Sequence, residues 1–232
     1  MKLHPDQIYV IDDIIPKDYQ DSISKNLLFK HIWTANGLLL NTSYVDKEEE
    51  SILINPDNNI KDKIFNHFQL SYTTLDGGDI ETSEAYNFIP ILYHIQKYFG
   101  FTFDYYPYRI KSNLQFQTPN KDPDFFDIPH IDLMEAASPQ NNYWTILYYV
   151  NDSDGDTLIF NEKFIGTPIK NFSLNQRVSP KKGRILMFPS NTMHSGNFPI
   201  NSSYRLVINL NVWITPHIFK ENSYVKKFSE NS

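Results

Sequence analysis

The chain contains no cysteine among its 232 residues, which excludes a disulfide framework and any thiolate metal site. Any metal must then be held by histidine, aspartate, glutamate or backbone oxygen. Arginine is scarce: Arg109, Arg177, Arg184 and Arg205 are all there is. With a net charge of -6, no concentrated basic field is available for phosphate neutralisation, so a nucleic-acid surface is not expected. No apolar run approaches the length of a membrane span, and clusters such as Ile146 to Val150 are strand-sized. Met1 to Tyr9 lacks a basic stretch followed by an apolar one, so no secretory leader is expected and cytoplasmic chemistry fits best. Internal repeats and low-complexity tracts are also absent from the sequence.

What is present is enough apolar and aromatic material, 41% and 15%, to bury a substantial core. The expectation is one globular unit. The spacing predicts a short strand within Gln7 to Ile15, closed by Pro16, and a helix over Lys17 to Phe29 with Tyr19, Ile23, Leu27 and Leu28 on one face. Around Ile32-Trp33 and Leu38-Leu39-Leu40 the pattern is ambiguous. Glu48-Glu49-Glu50 reads as a solvated face. Helices are further predicted over Asp57 to Leu70 and over Thr82 to Phe99, the latter broken or kinked at Pro90.

After Phe99-Gly100 the texture changes to short segments rich in Tyr, Phe, Ile and Val, the pattern of an antiparallel β domain. Strands are predicted over Tyr106 to Gln117, Phe125 to Leu133, Tyr143 to Asn151, Thr157 to Asn161, Phe172 to Val178, Arg184 to Phe188, Thr192 to Asn197 and Tyr204 to Ile214. The expected fold is mostly β with supporting helices: a double-stranded β-helix, or jelly-roll, preceded by an α-helical part. Residues 1-100 would be a helical scaffold packed on the core rather than an independent domain, residues 101-216 the catalytic core, and residues 217-232 a tail.

Seven histidines are candidates for chemistry. His31, His67, His94 and His217 have no carboxylate two positions on, and His67 and His94 lie in helical patterns where packing or exposure is the default role. His-x-Asp occurs twice. His4-Pro5-Asp6 sits at the chain's start without a preceding strand, where a rigid ligand geometry is hard to hold. His130-Ile131-Asp132 follows a predicted strand, on which residues two apart share a face. An imidazole from His194, on another strand, would complete a triad of two histidines and one carboxylate that leaves metal positions open.

The order His130-Ile131-Asp132, the strand carrying Tyr148-Tyr149-Val150-Asn151, the turn Pro180-Lys181-Lys182-Gly183-Arg184, then His194 and Arg205 resembles the iron- and 2-oxoglutarate-dependent dioxygenases, specifically the branch similar to prolyl 4-hydroxylases. The resemblance covers about residues 105 to 214. It implies that His130, Asp132 and His194 bind Fe(II), that Arg205 binds the distal carboxylate of 2-oxoglutarate, and that O2 is the second cosubstrate. Arginine suits the anchoring task, since its planar fork pairs with a carboxylate and stays charged.

Tyr149, on the same strand face as Thr145 and Leu147, is the expected hydroxyl partner of 2-oxoglutarate. Val207, Asn209, Asn211 and Trp213 share the face of Arg205, and the two asparagines suggest a polar cavity. The opposite face, Leu206, Ile208, Leu210 and Val212, would pack on the helices. Two departures stand out: Gly155-Asp156-Thr157-Leu158 replaces the Gly-Gly-x-Leu of many relatives, and Val207 stands where many carry Ser or Thr.

The resemblance implies hydroxylation of a substrate C–H bond coupled to decarboxylation of 2-oxoglutarate to succinate, with prolyl residues of a peptide as the favoured substrate and a free amino acid or another small metabolite as the second. Segments 113–126 and 133–142 would shape the entrance, with Gln115, Gln117, Gln140 and Asn141 available to a peptide backbone. The turn Asn151 to Asp156 is similar to viral or phage-borne relatives. A non-catalytic jelly-roll binding module and a zinc-dependent hydrolase using the same three ligands are the competing readings; the hydrolase lacks an identifiable general base.

Overall fold

A computed structural model describes residues 4, 6–29, 54, 59–64, 69–100, 105–119, 122–138 and 141–214. The expectations for Ile32-Trp33, Leu38 to Leu40, Glu48 to Glu50, His31, His67, Gln140, His217 and the tail lie outside the described residues. In chain order the elements are β1 (Tyr9–Ile11), α1 (Lys17–Phe29), β2 (Gln69–Asp76), β3 (Asp79–Ile80), α2 (Pro90–Phe99), β4 (Tyr105–Phe116), β5 (Tyr143–Tyr149), β6 (Thr157–Lys163), β7 (Leu174–Val178), β8 (Ile185–Pro189), β9 (Thr192–Gly196) and β10 (Tyr204–Ile214). Three single turns of 3-10 helix, Lys61–Lys63, Ser83–Asn87 and Met134–Ala136, complete the described elements.

The strands form a seven-stranded sheet in the order β1-β8-β5-β10-β4-β2-β3 and a three-stranded sheet β7-β6-β9. Every pairing between named strands is antiparallel, and the two sheets make the expected jelly-roll. On one face of the large sheet Trp144, Ile146, Tyr148, Leu206, Ile208, Leu210 and Val212 bury against Ile23 and Leu27 of α1 and Ile91, Leu92 and Ile95 of α2. The apolar face of β10 therefore meets the helices, as its alternation predicted. Between the sheets lies a smaller apolar cluster of Leu147, Tyr149, Leu186, Phe188 and Val207 with Ile159 and Val178 of the small sheet. Phe160, Leu158 and Met193 on the small sheet's outer side pack with Ile54, Ile60, Phe126 and Ile131.

Two elements differ from expectation. The helix expected over Asp57 to Leu70 is, where described, one 3-10 turn at Lys61–Lys63 followed by a strand that begins at Gln69. Ile60 joins the cluster outside the small sheet and Ile64 bridges to Phe126, so the apolar periodicity read as a helical face serves tertiary contacts instead. The strand expected over Phe125 to Leu133 is not a ladder but two isolated bridges, at Phe126 and His130. Pro129 has no N–H to continue one. Pro90 stands at the first turn of α2, where a proline loses no helical hydrogen bond; the preceding residues form the 3-10 turn Ser83–Asn87. The first hundred residues also supply β1, β2 and β3 to the large sheet.

Candidate metal centre and cosubstrate pocket

His130 and Asp132 reach the site through a bridge rather than a strand. The His130 amide donates to the His194 carbonyl at 2.9 Å and the His194 amide donates back at 3.1 Å. This reciprocal pair fastens the His-x-Asp segment to β9 and brings the two imidazole centroids within 4.6 Å. One ligand atom from each of His130, Asp132 and His194 lies within 4.8 Å of the others. Each ring is oriented from behind: His130 Nδ1 sits 2.9 Å from the Ile128 carbonyl and His194 Nδ1 3.1 Å from the Thr192 carbonyl. A carbonyl only accepts, so each Nδ1 carries the proton and each Nε2 is bare for a metal.

Asp132 is held more elaborately. Its Oδ1 accepts from Arg109 Nη2 at 3.1 Å and Asn209 Nδ2 at 2.9 Å. Its Oδ2 accepts from Thr145 Oγ1 at 3.1 Å and Asn211 Nδ2 at 3.2 Å. Burial alone would raise its pKa, but His194, Arg109 and His130 together with the Asn209 hydrogen bond outweigh it and hold the carboxyl well below its usual range. For His194 the balance goes the other way: burial, opposed by Asp132, pushes the imidazole down to about 4, so it stays neutral and ready to ligate at neutral pH. Two imidazoles and one carboxylate, with no thiolate, fit an octahedral iron with open positions.

Arg205, near the start of β10, is 5% exposed. Nη1 donates to Gln115 Oε1 and Nη2 to Thr157 Oγ1, both at 2.8 Å. Its guanidinium carbon lies 5.8 Å from the centroid of the Tyr149 ring, and the Tyr149 hydroxyl donates to the same Thr157 Oγ1 at 2.7 Å. Burial pushes the guanidinium below its ordinary range and the Tyr149 phenol up. Arg109, Arg177 and Arg184 each have a carboxylate partner; among the described residues Arg205 has none, and its Nε is buried with no hydrogen-bond partner. A buried cation fixed by neutral groups is costly unless an anion joins it. Gly155 makes the room: a Cβ there would stand 2.9 Å from Arg205 Cδ and 2.9 Å from the Asn197 carbonyl oxygen.

The control motif behaves differently. His4 and Asp6 are both exposed, and Asp6 pairs with Lys163 at 2.6 Å. The sequence missed Thr157, Gln115, Thr145 and Arg109 as partners of the site. Thr157 lies within the departure Gly155-Asp156-Thr157-Leu158, which was its available signal. Of the side chains expected at the entrance, Gln115 is spent on Arg205, Gln117 donates to the Ile200 carbonyl at 2.8 Å, and Asn141 Oδ1 accepts from the Tyr143 amide at 2.8 Å. Leu133 and Met134 do border a cavity of about 490 Å3 that reaches Asp132 and Arg109. Another cavity, of about 420 Å3, lies between Ser24 of α1 and the loops at Asp152 and Ser202.

Residues 115–214 match the family model of the 2OG-Fe(II) oxygenase superfamily. No curated protein matches the chain by sequence. Among solved structures, the non-heme alpha ketoglutarate dependent epimerase SnoN from nogalamycin biosynthesis is 12% identical with a TM-score of 0.53, over 90% of this chain and 79% of that one. AviO1 from Streptomyces viridochromogenes is 8% identical with a TM-score of 0.53, over 91% of each chain. A Trichoplax adhaerens prolyl hydroxylase in complex with a peptide fragment is 14% identical, over 98% and 88%, with a TM-score of 0.48. At such identities the likeness to SnoN and AviO1 speaks for the fold, and the family model speaks for the segment that carries Asp132, His194 and Arg205. The chain thus carries, over residues 115–214, the segment by which the 2OG-Fe(II) oxygenase superfamily is recognised.

Proposed function

We propose that the chain is an oxygenase that hydroxylates a substrate C–H bond, with His130, Asp132 and His194 holding Fe(II) and Arg205 holding the distal carboxylate of 2-oxoglutarate. The observation that carries this reading is the buried Arg205 guanidinium, without a carboxylate partner, standing on the same interior as the two bare Nε2 atoms. Its partner Thr157 lies two residues along β6 from Ile159, which faces His194. That offset is about 7 Å along a strand, a span that a five-carbon dicarboxylate covers. The neighbouring Tyr149 hydroxyl can turn from Thr157 toward the same carboxylate. A zinc hydrolase needs no such anchor, and a purely structural jelly-roll needs neither the bare Nε2 atoms nor a buried guanidinium with no carboxylate in contact.

When bound, iron and 2-oxoglutarate supply the oxidising chemistry. The protein's own part is to hold and to exclude. Arg109, Thr145, Asn209 and Asn211 fix the Asp132 carboxylate in its ionised form, and the two backbone carbonyls fix the histidine tautomers. Thr157 and Gln115 aim Arg205, while Leu147, Phe188 and Val207 form an apolar wall that keeps water away.

For the substrate, prolyl residues of a peptide or protein are the reading that the sequence resemblance supports. A free amino acid is the second reading, favoured by one observation: Gln115, Gln117 and Asn141, the side chains expected to meet a peptide backbone, are engaged within the protein. The test is succinate release in air from 2-oxoglutarate with Fe(II), screened against peptides and amino acids, with mass spectrometry of the organic product. Stimulated succinate and a product heavier by one oxygen are expected. A folded, iron-loaded protein that releases no succinate with any of them contradicts the proposal.

A further inference from the structure

On β4 the even-numbered side chains Ile110 and Leu114 enter the core shared with the helices, so the odd-numbered ones face the site. Two of these are already placed there: Arg109 on Asp132 and Gln115 on Arg205. Between them stand Lys111 and Asn113. Lys111 faces Asn209 on β10 and Thr73 on β2, and Asn209 is the residue whose amide holds Asp132 Oδ1. The lysine is thus one cross-strand step from the support of the metal ligand, where paired side chains stand about 5 Å apart.

Lys111 is partly buried and, among the described residues, its side chain makes no hydrogen bond and no ion pair. Burial, with the Arg109 cation beside it, pushes its ammonium below the ordinary lysine range. Beside it two further groups are unmatched: Asn113 Oδ1 and Asn209 Oδ1 are buried acceptors without a donor. Charge balance sharpens the point. Once iron and 2-oxoglutarate are bound, the charges of the metal, Asp132, 2-oxoglutarate and Arg205 cancel, and the Arg109 and Lys111 cations remain, opposed by Asp76 at the cavity mouth. Lys111 also precedes the segment that the family model matches.

Resting on the oxygenase reading above, we infer that Lys111 receives the carboxylate of the substrate, and that the substrate is a free amino acid whose N–H donors are taken by Asn113 and Asn209. An internal residue of a peptide has no carboxylate to offer there. The exposed acidic side chains Asp76, Glu81 and Glu135 at the cavity mouth are compatible with an ammonium on the same molecule.

The experiment uses the full chain loaded with Mn(II) and 2-oxoglutarate, and measures ligand-induced thermal stabilisation with the proteinogenic amino acids and their carboxamides as probes. Stabilisation by 2-oxoglutarate itself comes first; if it is missing, the oxygenase reading falls and this inference with it. Given that stabilisation, at least one free amino acid is expected to bind and its carboxamide to bind weakly. Lys111→Met should weaken that amino acid by at least about tenfold, the scale of a lost buried charge partner, with the 2-oxoglutarate response moved less than about twofold on the same arithmetic. Lys111→Arg should recover part of the loss. The inference is overturned if carboxamides bind as well as acids, if no amino acid binds, if Lys111→Met binds the acid like the wild type, or if it loses 2-oxoglutarate instead.

Discussion

Asp132 and Arg205 are both buried charges, 4% exposed at the side chain and 5% exposed respectively, yet the protein treats them in opposite ways. Asp132 is given four donors, one of them an arginine. Arg205 is given two neutral acceptors, an aromatic face and one orphaned N–H. A carboxylate so completely satisfied is built to stay ionised and fixed while it ligates a metal. A guanidinium so incompletely satisfied is, on the proposed reading, the one that waits for an anion. The difference teaches that a functional charge can be recognised by its unbalanced accounts as well as by its motif.

Breaking the satisfied end should cost most. Asp132→Ala leaves the Arg109 cation without its carboxylate and the Asn209 amide without its acceptor, so the metal-free protein should lose about 3–5 kcal/mol of stability, measured by denaturant unfolding, and Fe(II) affinity should fall by more than about a hundredfold. The other end should respond in the opposite sense. Arg205→Met removes a buried charge that has no carboxylate in ion-pair contact, so stability should be unchanged or raised by about 1–4 kcal/mol, while 2-oxoglutarate binding, followed by calorimetry on the Mn(II)-loaded protein, is lost. A destabilised Arg205→Met protein would show that the guanidinium is a structural cation after all.

Supporting residues grade the contrast more finely. Asn209→Ala, which removes one of the donors on Asp132 Oδ1, should weaken metal binding by about tenfold to a hundredfold with 2-oxoglutarate affinity reduced only in step with the metal. Thr157→Val removes the shared acceptor of Arg205 and Tyr149 and should weaken 2-oxoglutarate by about tenfold at equal metal affinity, the size of one lost hydrogen bond to a charged group. Both are read by titration with metal and cosubstrate in turn.

The smallest effect concerns a carboxylate away from the site. Asp154 accepts from the amides of Ile200, Asn201 and Ser202 and from the Asn201 side chain. Burial raises its pKa, but these hydrogen bonds win and bring it down to about 2, from an unperturbed 3.8. A carboxyl with a depressed folded-state pKa contributes stability that is fully present above about pH 4 and is lost as the pH falls toward 2. Asp154→Asn should remove that part of the acid sensitivity and cost about 1 kcal/mol at neutral pH after solvent screening, seen as a flatter unfolding midpoint between pH 4 and 2.

Much of this arrangement can be read from the sequence because it is local or periodic. The helix Lys17–Phe29 and the strand Tyr204–Ile214 stand where spacing put them, and strict alternation along β10 told which face is apolar and which carries Arg205, Asn209 and Asn211. The triad's residues were legible from spacing and resemblance together. Illegible were the partners. Thr157 reaches Arg205 across the gap between two sheets, and Gln115 and Arg109 reach the site from β4 through a register that depends on bulges at Asn211/Val212 and Thr73/Leu75. Local sequence carries no signal for such register. The segment 125–133 misled for a related reason: its apolar residues look like a strand, but Pro129 prevents a ladder and a single bridge to His194 does the positioning. Likewise Ile60 and Ile64 repeat at a helical spacing while serving two different contacts.

The central claim is that one interior holds a metal site and an anion anchor made for the same small molecule. Its most direct test is an anaerobic titration of the protein with Fe(II) and then 2-oxoglutarate, followed by visible absorption, in the wild type and in Arg205→Met. A weak charge-transfer band that saturates with 2-oxoglutarate in the wild type, and needs far higher 2-oxoglutarate in Arg205→Met, is the result expected. A folded wild-type protein that binds Fe(II) but shows no band, or a variant that titrates like the wild type, would contradict it.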